Sequence, residues 1–313
     1  MNASLIIKIV CWSIVALVLI GVLISGLFGF SIGRLWPSRF SPSPDNDYEY
    51  SGPDASGAYS VPAAGINDIS IGWINGNVTI TAYDGDDITF AETSPNQALD
   101  PKFKLHYRIS GSKLIIEYWD EDAKLIRLPN NLTKNLELNI PASIAKSLVS
   151  LEVEGISAHV TASAINCTEI DLSTISGTIE LTIVSANELS VSSTSGELNI
   201  AECTCDKLDA ESISGHINFA GTANMINSET VSGRADYMLS SCPASISADT
   251  VSGSVNIGIP ENDGFKARID KVSGHLSTDF PVTMEDDYTV YKNGTSSFKI
   301  STVSGNVSIN KII

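Results

Sequence analysis

Ile246-Ser-Ala-Asp-Thr-Val-Ser-Gly-Ser-Val-Asn-Ile257 holds one copy of the phrase that decides the fold. Its Ser-Gly pair recurs as Ser176-Gly177, Ser195-Gly196, Ser214-Gly215, Ser232-Gly233, Ser252-Gly253, Ser273-Gly274 and Ser304-Gly305. The glycine-to-glycine spacings are 19, 19, 18, 20, 21 and 31. A period near 20 marks an array of one repeated unit.

The unit repeats more than its glycine. Counted from Gly253, offsets −7, −5, −2, +2 and +4 are Ile246, Ala248, Val251, Val255 and Ile257. From Gly177 they are Ile170, Leu172, Ile175, Ile179 and Leu181. Two further units lack the full dipeptide, one centred on Ala158 and one on Asn75-Gly76. Across nine units only Thr194, Ser228 and Thr278 are polar at these offsets. Offsets −7 and −5 alternate along one strand face, and so do +2 and +4. At Ser-Gly the chain changes direction, where glycine tolerates φ > 0. One unit has too little apolar surface to fold alone, but stacked units bury a continuous column. All five offsets, Val251 included, are therefore expected to point inward. The expected fold class is all-β: a single-stranded β-solenoid (β-helix-like) of about eight ~19–21-residue coils. An irregular N-terminal β cap and one transmembrane helix precede the coils.

Four segments follow. Residues 1–40 read as an N-terminal membrane anchor, because Ile9 to Ile32 is uncharged and long enough as a helix to cross the hydrocarbon core. The alternatives are a cleaved signal peptide, though no A-x-A-like site follows the run, and a buried core helix, for which a solenoid offers no place. Residues 41–65, rich in Ser, Pro, Gly, Asp and Tyr, read as a flexible linker. Residues 66–150 read as the cap, with the first repeat unit and a hairpin turn at Ser110-Gly111. Residues 151–313 carry the coils, interrupted by an inserted hairpin or loop between Pro281 and Ser297. The apolar run makes a single-pass protein of the cell membrane the expectation, and the short N-terminus and the acidic, Thr/Ser-rich remainder favour its orientation. Its C-terminal domain is expected outside the cytoplasm.

From Phe40 onward the chain carries 16 Lys and Arg against 36 Asp and Glu, which disfavours nucleic acid and anionic lipid as partners. The expected partners are the membrane, through the N-terminal helix, and a cell-wall polymer, a host surface or a membrane signalling protein. Catalysis is not expected, and no catalytic or cofactor-binding residue is assigned. His159, His216 and His275 share offset +1 but stand coils apart, and the recurring Ser has no neighbouring His to activate it. Cys167 and Cys205 share offset −10 two coils apart, beyond disulfide reach. One patterned surface feature remains. At offset −4 stand Glu211, Glu229, Asp249 and Asp270, which in-register stacking would turn into a carboxylate ladder with ~4.8 Å steps. Such a ladder raises some of its own pKa values and attracts cations, calcium being the natural candidate.

The phrases Ile71-Gly-Trp-Ile-Asn-Gly-Asn-Val-Thr-Ile80 and Tyr83-Asp-Gly-Asp86 resemble the opening of the bacterial putative-adhesin, β-strand-repeat family. The Thr-Val-Ser-Gly-x-Val units and Phe298-Lys-Ile-Ser-Thr-Val-Ser-Gly-Asn-Val-Ser-Ile309 resemble its body and end. The resemblance covers about residues 66–310 and implies an envelope-associated β-repeat protein without catalytic residues. The function expected is a non-catalytic surface binding or adhesion module. The alternatives are an accessory of envelope-stress sensing or signalling and, more remotely, a carbohydrate-active enzyme.

Overall fold

A computed structural model describes residues 58–96, 98–100, 103–118, 132–146 and 148–312. The expected anchor, Ile9 to Ile32, lies outside the described residues. Within them every regular element is a strand, and no helix is long and apolar enough to cross a membrane.

The chain builds levels, each with one strand before the Ser-Gly corner and one after it. The N-terminal strands are β1 (Ala58–Pro62), β2 (Asp68–Tyr83), β3 (Asp87–Thr93), β4 (His106–Ser110), β5 (Lys113–Glu117) and β6 (Asn135–Pro141). The body is β7 (Leu148–Ser163), β8 (Asn166–Thr174), β9 (Ile179–Thr182), β10 (Ser185–Ser193), β11 (Leu198–Ser212), β12 (Ile217–Thr230), β13 (Ala235–Leu239), β14 (Ser245–Thr250) and β15 (Val255–Ile259). The C-terminal strands are β16 (Gly264–Ser273), β17 (Leu276–Thr278), β18 (Thr283–Glu285), β19 (Tyr288–Lys292), β20 (Ser296–Ser304) and β21 (Val307–Lys311).

Parallel pairing stacks equivalent offsets directly. At −7 the column runs Leu151, Ile170, Leu189, Leu208, Ile226 and Ile246, and at +2 it runs Val160, Ile179, Leu198, Ile217, Ala235 and Val255. These side chains are buried, as are those at −5 and +4 in the same levels. Each buried Val, Leu or Ile contributes roughly 1.5–3 kcal/mol, and the column supplies the core. Ser228, the polar exception at −5, is matched within its own level by Tyr237, and both are buried.

The order of levels departs from the order of the sequence at both ends. β2 pairs with β7 on one side and with β5 and β6 on the other. The outermost N-terminal level is thus β5 with β6, and the first level of the chain lies one step inside it. At the other end β14 and β15 pair with β20 and β21, and these in turn pair with β16 and β17. The last level of the chain slots between its two predecessors, so the outermost level is β16 with β17. The longer Gly274–Gly305 spacing is the length needed to run out along the edge and return beneath it. The inserted segment is a hairpin, β18 with β19, and β19 pairs antiparallel on β16. A parallel strand between two neighbours has no free edge, and at this end the antiparallel β19 covers the Gly264–Arg268 part of β16. At the N-terminal end β4 covers β5, β3 covers β6, and β1 covers β3.

The cap is more regular than expected, since β5 and β6 form a full level. Ser110-Gly111 is the expected hairpin turn, with Gly111 at φ 63°. The linker ends sooner than expected: residues 58–62 are a strand. Tyr59 and Val61 alternate inward, and Tyr59 stacks on Phe90 at 5.1 Å. Lys134 is fully buried and ties the cap together. Its ammonium pairs with Glu92 at 2.8 Å, donates to Phe103 O at 2.8 Å and to Tyr118 O, and lies 4.2 Å from the Tyr118 ring centre. Burial pulls the Lys134 ammonium down to about 8, against the opposing pull of Glu92.

Candidate functional site

The Ser-Gly corner decides which side chains face solvent. The Ser or Thr at −3 points inward and accepts the N–H of the glycine. Gly196 N to Ser193 Oγ is 2.7 Å, Gly215 N to Ser212 Oγ is 2.9 Å, and Gly253 N to Thr250 Oγ1 is 3.0 Å. The serine at −1 donates to the −2 carbonyl of the preceding level, as Ser195 Oγ to Ile175 O at 3.3 Å and Ser214 Oγ to Thr194 O at 3.2 Å. Glycine is needed for close approach. A Cβ on Gly196 would meet Gly177 O at 1.6 Å, and one on Gly215 would meet Gly196 O at 1.8 Å. Of the seven Ser-Gly glycines only Gly274 has a positive φ, so the expected left-handed turn is not the reason in the other six.

With −7, −5 and −3 inward, −2 points out. Val251 is half-buried, not in the column as the five-offset reading had it, whereas Val255 and Ile257 are fully buried. The −2 row therefore forms an aliphatic margin along the corner: Ile156, Ile175, Ile213, Val231 and Val251, broken by Thr194. Ile175 is 47% exposed.

Beside that margin, the outer face of the strands preceding the corner carries three rows of acids. Offset −4 holds Glu154, Glu211, Glu229 and Asp249, offset −6 holds Glu152, Asp171 and Asp209, and offset −8 holds Asp68, Glu169 and Glu188. The expected four-acid ladder is corrected to three. Asp249 pairs with Ser301, and Ser301 pairs with Asp270, because the last level of the chain is inserted between them. In the remaining ladder Glu229 is the central group. Partial burial, then Glu211 and Asp249 on either side, push its carboxyl above the usual range. These carboxylates form a row and not a cage. Among the described residues no group of three or more His, Cys, Asp or Glu could hold a metal ion. Two cations answer the acids within the face: Lys207 bridges Asp209 at 2.6 Å and Lys113 bridges Glu152 at 2.9 Å. Lys299 and Arg268 lie beyond the acids, at the C-terminal end, where Arg268 contacts Asp270 at 3.3 Å.

The face formed by the strands after the corner differs. Its +3 row closes on itself, with Asn218 Nδ2 to Asn199 Oδ1 at 2.8 Å and Ser308 Oγ to Asn256 Oδ1 at 2.7 Å. In the same row Asn256 Nδ2 donates to Asp236 Oδ1. The three histidines at +1 do not converge, and His275 moves one level further from His216 than the sequence order implies. Cys167 and Cys205 are separated by Ala186, as the offsets predict, and all four described cysteines are free. Burial pushes the Cys167 thiol to about 11 and the Cys205 thiol to about 12, away from reactivity.

The sequence profile of the Toastrack DUF4097 family matches residues 66–310, nearly all of this stack. The chain belongs to that family. Among solved structures, a Toastrack-like neighbour described as a "putative adhesin" from Parabacteroides distasonis superimposes with a TM-score of 0.51 at 13% identity, covering 82% of this chain and 96% of that one. Another so described, from Bacteroides fragilis, gives 0.48 at 15% identity over 82% and 96%. A third, from Parabacteroides distasonis and described as a "putative lipid binding protein", gives 0.45 at 14% over the same shares. At these identities the likeness is one of fold. No curated protein matches the chain.

Proposed function

We propose that this Toastrack protein is a non-catalytic binding module, held in the membrane by Ile9 to Ile32 and displayed outside the cytoplasm. The observation that carries the reading is the acidic face with its aliphatic margin, a surface several levels long. Such a surface suits an elongated partner that carries both cations and apolar side chains, on a host cell or in the envelope. Contacts of this kind gain rate and selectivity from charge, and affinity from the apolar margin. The test uses the full-length chain in mild detergent against two immobilised probes, an alternating Lys-Leu peptide and an alternating Glu-Leu peptide. Binding to the Lys-Leu probe alone, weakened by salt and by E211Q/E229Q/D249N, supports the proposal. Equal binding to both probes, or no effect of the triple variant, refutes it. The anchor has its own test: the chain stays with membranes after alkaline washing and keeps its N-terminus. A purified protein beginning beyond Ile32 refutes the anchor.

A further inference from the structure

The two ends of the stack are finished differently. At the N-terminal end antiparallel strands cover both strands of the outer level. At the C-terminal end β19 covers β16 only over Gly264–Arg268. No strand among the described residues pairs with the outer side of residues 269–273, or of β17. Ile269 and Leu276 at this end are half-buried, whereas Ile300 and Val307, one level in, are buried. An open apolar edge of this kind invites another strand.

The row at −3 changes at that edge. Thr174, Ser193, Ser212, Thr230, Thr250 and Thr302 are all buried there. The next place, in register with Thr302, holds Lys271, and it is exposed. Each glycine carbonyl packs under the glycine of the following level: Gly233 O under Gly253, Gly253 O under Gly305, and Gly305 O under Gly274. Among the described residues, no level follows Gly274 O. Lys271 Nζ donates to it at 3.1 Å.

We propose that Lys271 is the end-stop of the stack, closing the terminal level against edge-to-edge pairing with the same end of a second copy. The ammonium occupies the carbonyl that a further level would cover. Covering the ammonium itself would strip its water without offering a carboxylate. Replacing Lys271 with Thr restores the residue type of every preceding level from Thr174 onward. The edge then keeps one charge pair, Asp270 with Arg268, and loses the ammonium that closes its corner, and a twofold pairing of two such edges makes a closed dimer.

Sedimentation velocity of the full-length chain in detergent tests this with the parent, K271T, K271R and K271T/V272D. Val272 is 53% exposed at the same edge, so a carboxylate there replaces the lost charge without disturbing the core. The proposal expects K271T to self-associate with a dissociation constant at least about tenfold below that of the parent, a shift worth ~1.4 kcal/mol. It expects K271R to sediment like the parent, and K271T/V272D to return to parental behaviour. The proposal is overturned if K271T, folded by circular dichroism, associates no more than the parent. It is also overturned if K271R associates as readily as K271T, or if V272D fails to reverse the association, which would place the contact elsewhere.

Discussion

Substituting Gly215 by alanine tests the corner on which the whole stack depends. The added Cβ would lie 1.8 Å from Gly196 O, 2.7 Å from its carbon and 3.0 Å from Ser212 Oγ. Relief requires the two levels to part by more than an ångström at a place pinned by several hydrogen bonds. Ser214 N to Thr194 O is 3.0 Å, Ser214 Oγ to Thr194 O is 3.2 Å, and Leu198 N to His216 O is 2.8 Å. Loss of three such bonds at about 1 kcal/mol each, with about 1–3 kcal/mol of overpacking, gives a destabilisation of about 4–6 kcal/mol. Urea unfolding of the full-length chain, followed by circular dichroism, measures it. Asparagine separates the two explanations for glycine, since it tolerates a left-handed φ but not a close approach. G215N should cost at least as much as G215A. At Gly111, with φ 63° and open space around it, Asn should be nearly neutral. If G215A unfolds within ~0.5 kcal/mol of the parent, or G215N is tolerated and G215A is not, the close-approach account fails.

Four further outcomes follow from the charged groups. Glu229 has a raised folded-state pKa, so its ionisation opposes folding: the melting temperature should climb as pH falls from neutral toward the ordinary carboxylate range, and E229Q should melt higher at pH 7 and lose that climb. Millimolar calcium at matched ionic strength should raise the melting temperature of the parent more than that of E211Q/E229Q/D249N, and an equal shift in both would remove the ladder as a cation stripe. Lys134→Ala leaves Glu92 buried and unpaired and should cost about 3–5 kcal/mol, whereas E92A/K134A should recover part of that loss by removing the orphaned charge. Glu261 is held down to about 2, chiefly by hydrogen bonds from Lys292 and Lys311 and then Tyr291; the stability it lends is complete above about 4.5 and is lost as pH falls toward 2, and E261Q should flatten that acid limb in a pH series of melts.

The column was legible because burial imposes one parity on each strand, and −7, −5, +2 and +4 kept it in unit after unit. The same parity rule would have placed −2 outside, since Ser193, Ser212 and Thr250 at −3 continue the inward face. Aliphatic character at Ile175 and Val251 masked that signal. The exchange of the last two levels had a single trace, the longer spacing before Gly305. Equivalent offsets fit one another in any order, so Phe298 can stack on Ile246 as well as Ala267 can. That exchange moved Asp270 out of the expected ladder. The acids of the candidate face were visible as residues, but their union with an aliphatic margin depends on the outward turn of −2. The strand at Tyr59–Val61 was hidden because two alternating side chains are too few to stand out from a Ser- and Gly-rich stretch.

The most direct test of the binding face leaves its charge untouched. In I213S/V231S/V251S the acids remain while the aliphatic margin becomes polar, and N199S/N218S/N256S makes the same number of changes on the opposite face. Affinity of the full-length chain for the alternating Lys-Leu peptide is measured for both variants by isothermal titration calorimetry in detergent. The account predicts a loss of about tenfold or more for the margin variant and parental affinity for the opposite-face variant. Parental affinity in the margin variant, with the fold intact, would reduce the face to a charged surface and contradict the account.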